Sequence, residues 1–79
     1  MKKLHTYHID GAQVSLSEFL REKSELIDGQ EIASEISYYS KSEYDQDSHI
    51  TEFCNGATYS KGAGECGLWE EITTYGMNP

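Results

Sequence analysis

The chain has 79 residues, with 14 acidic and six basic side chains and a formal net charge of -8, which fits one small acidic domain. A domain of this size buries only about 60% of the surface its unfolded chain exposes, so its core is thin and it has no second lobe with which to enclose a catalytic cleft. No stretch approaches the ~20 apolar residues of a membrane span, and an acidic surface is repelled by anionic headgroups. The opening Met1-Lys2-Lys3-Leu4-His5 has no apolar run behind its charges, so no signal peptide is expected. A cytoplasmic protein follows, with Cys54 and Cys66 as reduced thiols rather than a disulfide framework.

In chain order, His5 to Val14 reads as a hairpin turning at Asp10-Gly11. A helix starts at Ser15, which forms an S-x-x-E capping box with Glu18. Leu16, Phe19, Leu20, Leu26 and Ile27 fall on one helical face, Lys23 snorkels out of it, and Asp28-Gly29 ends the helix. Residues 30–44 fit a helix through Ile32, Ile36 and Tyr39, or a strand through Ile36-Ser37-Tyr38-Tyr39 and Tyr44. The expectation is a short helical or irregular lead-in that becomes a strand near Ile36. Asp45-Gln46-Asp47 reads as a polar turn and Ile50 to Cys54 as a strand. Asn55-Gly56 is the strongest hairpin signal, and Ala57 to Ser60 returns. Lys61 to Gly67 reads as a glycine-rich loop. Leu68 to Tyr75 leans to a strand, with a short helix as the alternative. The sum is an α+β domain, one main helix packed on a small antiparallel sheet of about four strands.

Chemical motifs are sparse. Gly62-Ala63-Gly64-Glu65-Cys66-Gly67 matches G-x-G-x-x-G, but the chain ends twelve residues later. A second βα unit and an acidic ribose ligand ~20 residues on are therefore not expected, and Glu65 would repel phosphate. His5, His8, His49, Cys54 and Cys66 lack the spacing of a zinc site, and His5 and His8 point to opposite faces of a strand. A Cys–His nucleophile pair from Cys54 or Cys66 with His49 has no third group to orient it. No cofactor, metal or catalytic residue is therefore expected.

Charge is the informative feature. Residues 1–30 hold five acids against four bases, and residues 31–79 hold nine acids against Lys41 and Lys61 alone. Such asymmetry speaks to partners and solubility rather than to fold. Glu18, Glu22 and Glu25 form one stripe on the helix, and carboxylates on alternate strand positions repeat every ~6.6 Å. DNA carries one charge per ~1.7 Å of axis, so a compact acidic protein can present anions at comparable density to a basic groove. The candidate contact set is Glu43, Asp45, Asp47 and Glu52 around the middle hairpin with Glu70 and Glu71 nearer the C-terminus. Tyr38, Tyr39, Tyr44, Tyr59 and Trp69 would add apolar contact area.

Short length, acidity, the absence of an enzyme motif, the Asp10-Gly11 turn and the Val14-Ser15-Leu16-Ser17-Glu18-Phe19 helix start together resemble small phage-encoded inhibitors of the anti-CRISPR and anti-restriction type. The resemblance is one of type across the whole chain. It implies a non-enzymatic inhibitor that acts in an infected bacterial cytoplasm. Such a protein occupies the basic nucleic-acid-binding surface of a host defence complex, by nucleic-acid mimicry or through a protein patch, without touching DNA or RNA itself. The alternative is a structural or regulatory module, homodimeric for want of core, whose acidity serves solubility.

Overall fold

In a computed structural model, residues 4–38, 47–64 and 67–77 are described. Their elements run β1 (Leu4–Ile9), β2 (Ala12–Val14), α1 (Leu16–Leu26), β3 (Ile32–Tyr38), β4 (Asp47–Phe53), β5 (Thr58–Gly64) and β6 (Gly67–Thr73). The α+β class holds, with one helix. The sheet has six strands rather than about four, in the order β2-β1-β6-β5-β4-β3, and it is mixed. β1 lies parallel to β6, Tyr7 opposite Glu70 and Ile9 opposite Ile72, while every other pair is antiparallel. Within this sheet the first and last strands are neighbours, a pairing across more than 60 residues that no local pattern announces.

Local chemistry explains each turn. Asp10 and Gly11 both take positive φ, 50° and 86°, the conformation of a tight hairpin turn that Asp tolerates and Gly favours. The Ser15 hydroxyl accepts the Glu18 N–H at 3.2 Å and starts α1. The helix closes where Ile27 and Asp28 both donate to the Lys23 carbonyl. Asn55 then ties the β4–β5 turn to the helix end: its amide donates to the Leu26 carbonyl at 2.8 Å and its carbonyl oxygen accepts the Ala57 N–H at 3.0 Å.

Two expectations for the later chain are corrected. β3 begins at Ile32, without a helical lead-in, because the whole segment pairs with β4, with one irregularity between Ile32 and Ser34. The glycine-rich stretch is not a loop: β5 continues through Gly64 and β6 starts at Gly67, each glycine held in the ladder by its neighbours. Gly67, at φ 138°, lies against β1, and a Cβ there would overlap the Leu4 backbone. Asp47, expected in a turn, is the first residue of β4.

The core is as thin as the length requires. Phe19, Ile27, Ala57 and Ile72 are buried, with Tyr7, Ile9, Val14, Leu26, Phe53, Tyr59 and Met77 packed around them. Phe19 sits between Tyr7 and Tyr59, with ring centroids 5.2 and 6.3 Å away. Leu16 and Leu20, expected on the buried face, are instead exposed, Leu20 at 51%. A three-turn helix rests on the sheet along a stripe only wide enough for Phe19, Leu26 and Ile27. Lys23, expected to snorkel outward, is half-buried and holds its ammonium over the sheet residue Tyr59, 5.1 Å from the ring centre.

Candidate functional site

Strand alternation sorts the candidate residues onto two faces. The face that carries α1 receives Tyr59 and Glu70, together with His5, Tyr7, Glu35, Ser37, His49 and Lys61. The opposite face receives Trp69, Glu71 and Glu52, with Leu4, Ile36 and Ile50. Tyr59 and Trp69 therefore cannot belong to one flat patch, and neither can Glu70 and Glu71. The side chains of Tyr38 and Asp47 lie outside the described set, as do residues Tyr39, Glu43, Tyr44 and Asp45. Of the middle group, only Glu52 can be placed by its side chain, and it is exposed.

The free end of the sheet is an acidic hairpin. β3 and β4 form it, β3 is the outermost strand, and the residues from Glu31 to Ser37 are all exposed. Residues 31–52 hold Glu31, Glu35, Glu43, Asp45, Asp47 and Glu52 against Lys41 as the single Lys or Arg. Glu35 and Glu52 project from opposite faces of the hairpin. Among the described residues its one ion-pair contact is His49 Nε2 to Glu35 Oε1 at 3.5 Å. Charged side chains on an edge strand also discourage self-pairing, since two copies would set like charges side by side.

The two C-terminal acids are already engaged. Glu71 accepts the Gly11 N–H at 2.9 Å, which fastens the β1–β2 turn to β6. Glu70 uses both oxygens: Oε2 accepts from His5 Nε2 at 2.7 Å and Oε1 accepts from the Tyr59 hydroxyl. Burial raises the Tyr59 phenol well above the ordinary tyrosine value, and the Glu70 charge beside it adds to the rise. Tyr59 thus remains a donor at every physiological pH.

Glu70 belongs to a second feature that sequence reasoning missed. Where α1 stops short, the helix-side face forms an open trough of about 530 Å³ over β3, β4, β5 and β6, its far wall at His5. Ser37, His49, Lys61 and Glu70 are successive register partners across its floor. His5 stacks on Tyr7 at 4.6 Å, and Ser37 bonds His49 Nδ1. Reading Lys61 as loop hid this row. Recognition that β5 runs through Gly64 would have put Tyr59 and Lys61 on one face. The pairing of His5 with Glu70, 65 residues apart, has no local signal.

Nucleophilic chemistry finds little support in this geometry. Ser37, His49 and Glu35 have the residue types of a triad, but 3.5 Å is too long for the hydrogen bond that would orient the imidazole, and Ser37 is exposed. The described Cys54 thiol contacts Glu31 Oε2 at 3.9 Å rather than His49, and Cys66 lies outside the described residues. Among the described residues no cluster of His, Cys, Asp or Glu could hold a metal ion, and no helix is long and apolar enough to cross a membrane. Compared with known proteins, the chain matches no protein-family model, no curated protein and no solved structure.

Proposed function

We propose that the protein is a stoichiometric inhibitor of the phage type, which docks its acidic β3–β4 edge hairpin into the basic nucleic-acid-binding groove of a host defence complex and blocks DNA or RNA from entering. The observation that carries this reading is the acidic edge: residues 31–52 hold six acids in the sequence, and the three that are described, Glu31, Glu35 and Glu52, are exposed on or beside the outermost strands, Glu35 and Glu52 on opposite faces. A two-sided acidic edge suits a groove whose opposing walls carry Lys and Arg. Its field would speed encounter and suppress wrong partners. The Glu18-Glu22-Glu25 helix stripe contributes less, because Arg21 stands 3.9 Å from Glu18 and 3.5 Å from Glu22.

The test is capture from a bacterial host lysate at low and high salt, with duplex DNA or RNA as competitor. A nucleic-acid-binding complex retained at low salt, and displaced both by salt and by competitor, supports the reading. Glu31→Lys/Glu35→Lys/Glu52→Lys then abolishes capture, while the helix variant Glu18→Lys/Glu25→Lys keeps most of it. Capture that is indifferent to salt and to the hairpin charges would exclude groove occupation.

A second reading rests on the uncovered face, where Leu4 is 65% exposed and Ile36 48% exposed beside the half-buried Ile50 and Trp69. A homodimer that buries this face would leave the acidic hairpins solvated. Sedimentation separates the two: such a dimer persists at high salt, and Ile36→Lys disperses it.

A further inference from the structure

The helix-side trough gathers charges of both signs, with Lys61 as the cation and Glu70 as the anion among its lining residues. Lys61 stands at its centre, flanked in register by His49 on one side and Glu70 on the other. Directly opposed side chains on neighbouring strands lie about 5 Å apart at Cβ. Glu70 is the obvious counter-ion for Lys61, yet both its oxygens are taken, by His5 and by Tyr59. No described carboxylate lies within ion-pair distance of the Lys61 ammonium. Lys23 on α1 holds its ammonium 5.1 Å from the centre of the Tyr59 ring, and Tyr59 also lines the trough.

The lining also offers apolar surface. Leu68, 46% exposed, and Ala63 face each other across β5 and β6 below Lys61. The stacked His5–Tyr7 pair is locked by the Glu70 hydrogen bond. A volume of about 530 Å³ lies in the range of small-molecule sites, ~300–1,000 Å³. Pre-bonded side chains lose little freedom when a ligand arrives.

We infer that this trough binds a small molecule with one oxyanion group, a phosphate monoester or a carboxylate, on a flat apolar body. Lys61 takes the oxyanion, with the imidazole edge of His49 beside it. The body lies on Leu68 and Ala63 against the His5 ring. Glu70 makes the site selective: held between His5 and Tyr59, it repels a second anionic group on the ligand's far side. The site does not depend on the inhibitor reading: its anion contact, Lys61, and its apolar contact, Leu68, sit on β5 and β6, although His49 of its floor belongs to the hairpin and contacts Glu35 at 3.5 Å.

The test is a titration of the full chain, followed by amide chemical shifts, with three probes: phenyl phosphate, benzoate and inorganic phosphate. Saturable shifts at Lys61, Ala63, Leu68 and His49 are expected with phenyl phosphate or benzoate, and whichever binds identifies the oxyanion. Inorganic phosphate, with no body to bury, binds at least about tenfold more weakly. Lys61→Gln weakens binding by about tenfold, and Leu68→Ser brings phenyl phosphate down toward inorganic phosphate. Both positions are exposed, so both variants retain the wild-type thermal transition. No saturable shift with any probe, equal affinity for phosphate with and without the phenyl group, or an affinity unchanged in Lys61→Gln each overturns the site.

Discussion

Asp10 grips Thr74 with both carboxylate oxygens: Oδ1 accepts the Thr74 N–H at 2.7 Å and Oδ2 accepts its hydroxyl at 2.6 Å. The residues are 64 positions apart. Asp10 also donates its own N–H to the Ile72 carbonyl, and the Tyr75 hydroxyl donates to the Asp10 carbonyl. One side chain and its backbone thereby fasten the β1–β2 turn to the end of β6, where the parallel pairing stops.

Asp10→Ala removes two charge-assisted hydrogen bonds and places a Cβ-only residue at positive φ. A loss of about 2–3 kcal/mol is expected in denaturant unfolding. Asp10→Asn, which tolerates that backbone conformation and keeps one acceptor, loses about half as much. An equal loss in both variants would show that charge, rather than the turn conformation, dominates.

Gly67→Ala tests the parallel seam. An added methyl group meets the Leu4 backbone, which cannot yield without breaking the β1–β6 ladder. A cost of about 3 kcal/mol or more is expected, with selective loss of hydrogen-exchange protection over Leu4–Ile9. Gly29→Ala is the control: its φ is also positive, but no atom lies within 4 Å of the added carbon, so it costs about 1 kcal/mol.

Phe19 and Leu20 are neighbours with opposite fates. Phe19→Ala opens a cavity between Tyr7 and Tyr59 and costs about 3–5 kcal/mol, enough to unfold a domain with so small a core. Leu20→Ala, at a half-open surface position, costs under about 1 kcal/mol. Thermal unfolding of the two variants separates them. Comparable destabilisation would mean that the apolar stripe of the helix is buried as a whole.

Tyr59 sets an alkaline limit. Its phenol has a folded-state pKa above the ordinary ~10, so from about pH 10 upward the unfolded chain gives up this proton while the native protein keeps it. The native state then binds more protons, and stability falls as pH rises. Below pH 10 the contribution is intact. Denaturation midpoints measured from pH 8 to 11 are expected to fall more steeply above pH 10 in the wild type than in Tyr59→Phe, which starts lower for want of the Glu70 bond.

Much of the local architecture was legible. The Ser15 cap, the Asp10-Gly11 and Asn55-Gly56 turns and the strand character of Ile50 and Leu68 depend on interactions within a few residues. The candidate contact set was legible only as residue types. Period-two alternation alone separates Glu70 from Glu71, because consecutive strand residues face opposite ways. Placing Tyr59 away from Trp69 needed the β5–β6 register as well, which sets Trp69 against Gly62 and Tyr59 against Ile72.

By itself, then, the amino-acid sequence determined the charge, the helix with its cap, both tight turns and the acidity of the segment from Glu31 to Glu52. These follow from residue chemistry and short-range backbone preference. Only the tertiary structure decided that β1 lies parallel to β6, that Gly62 and Gly64 belong to a strand, and that His5, Lys61 and Glu70 share one trough. Those outcomes come from cross-strand partners far apart in the chain. A glycine with no side-chain preference of its own takes the conformation that its neighbours' hydrogen bonds impose.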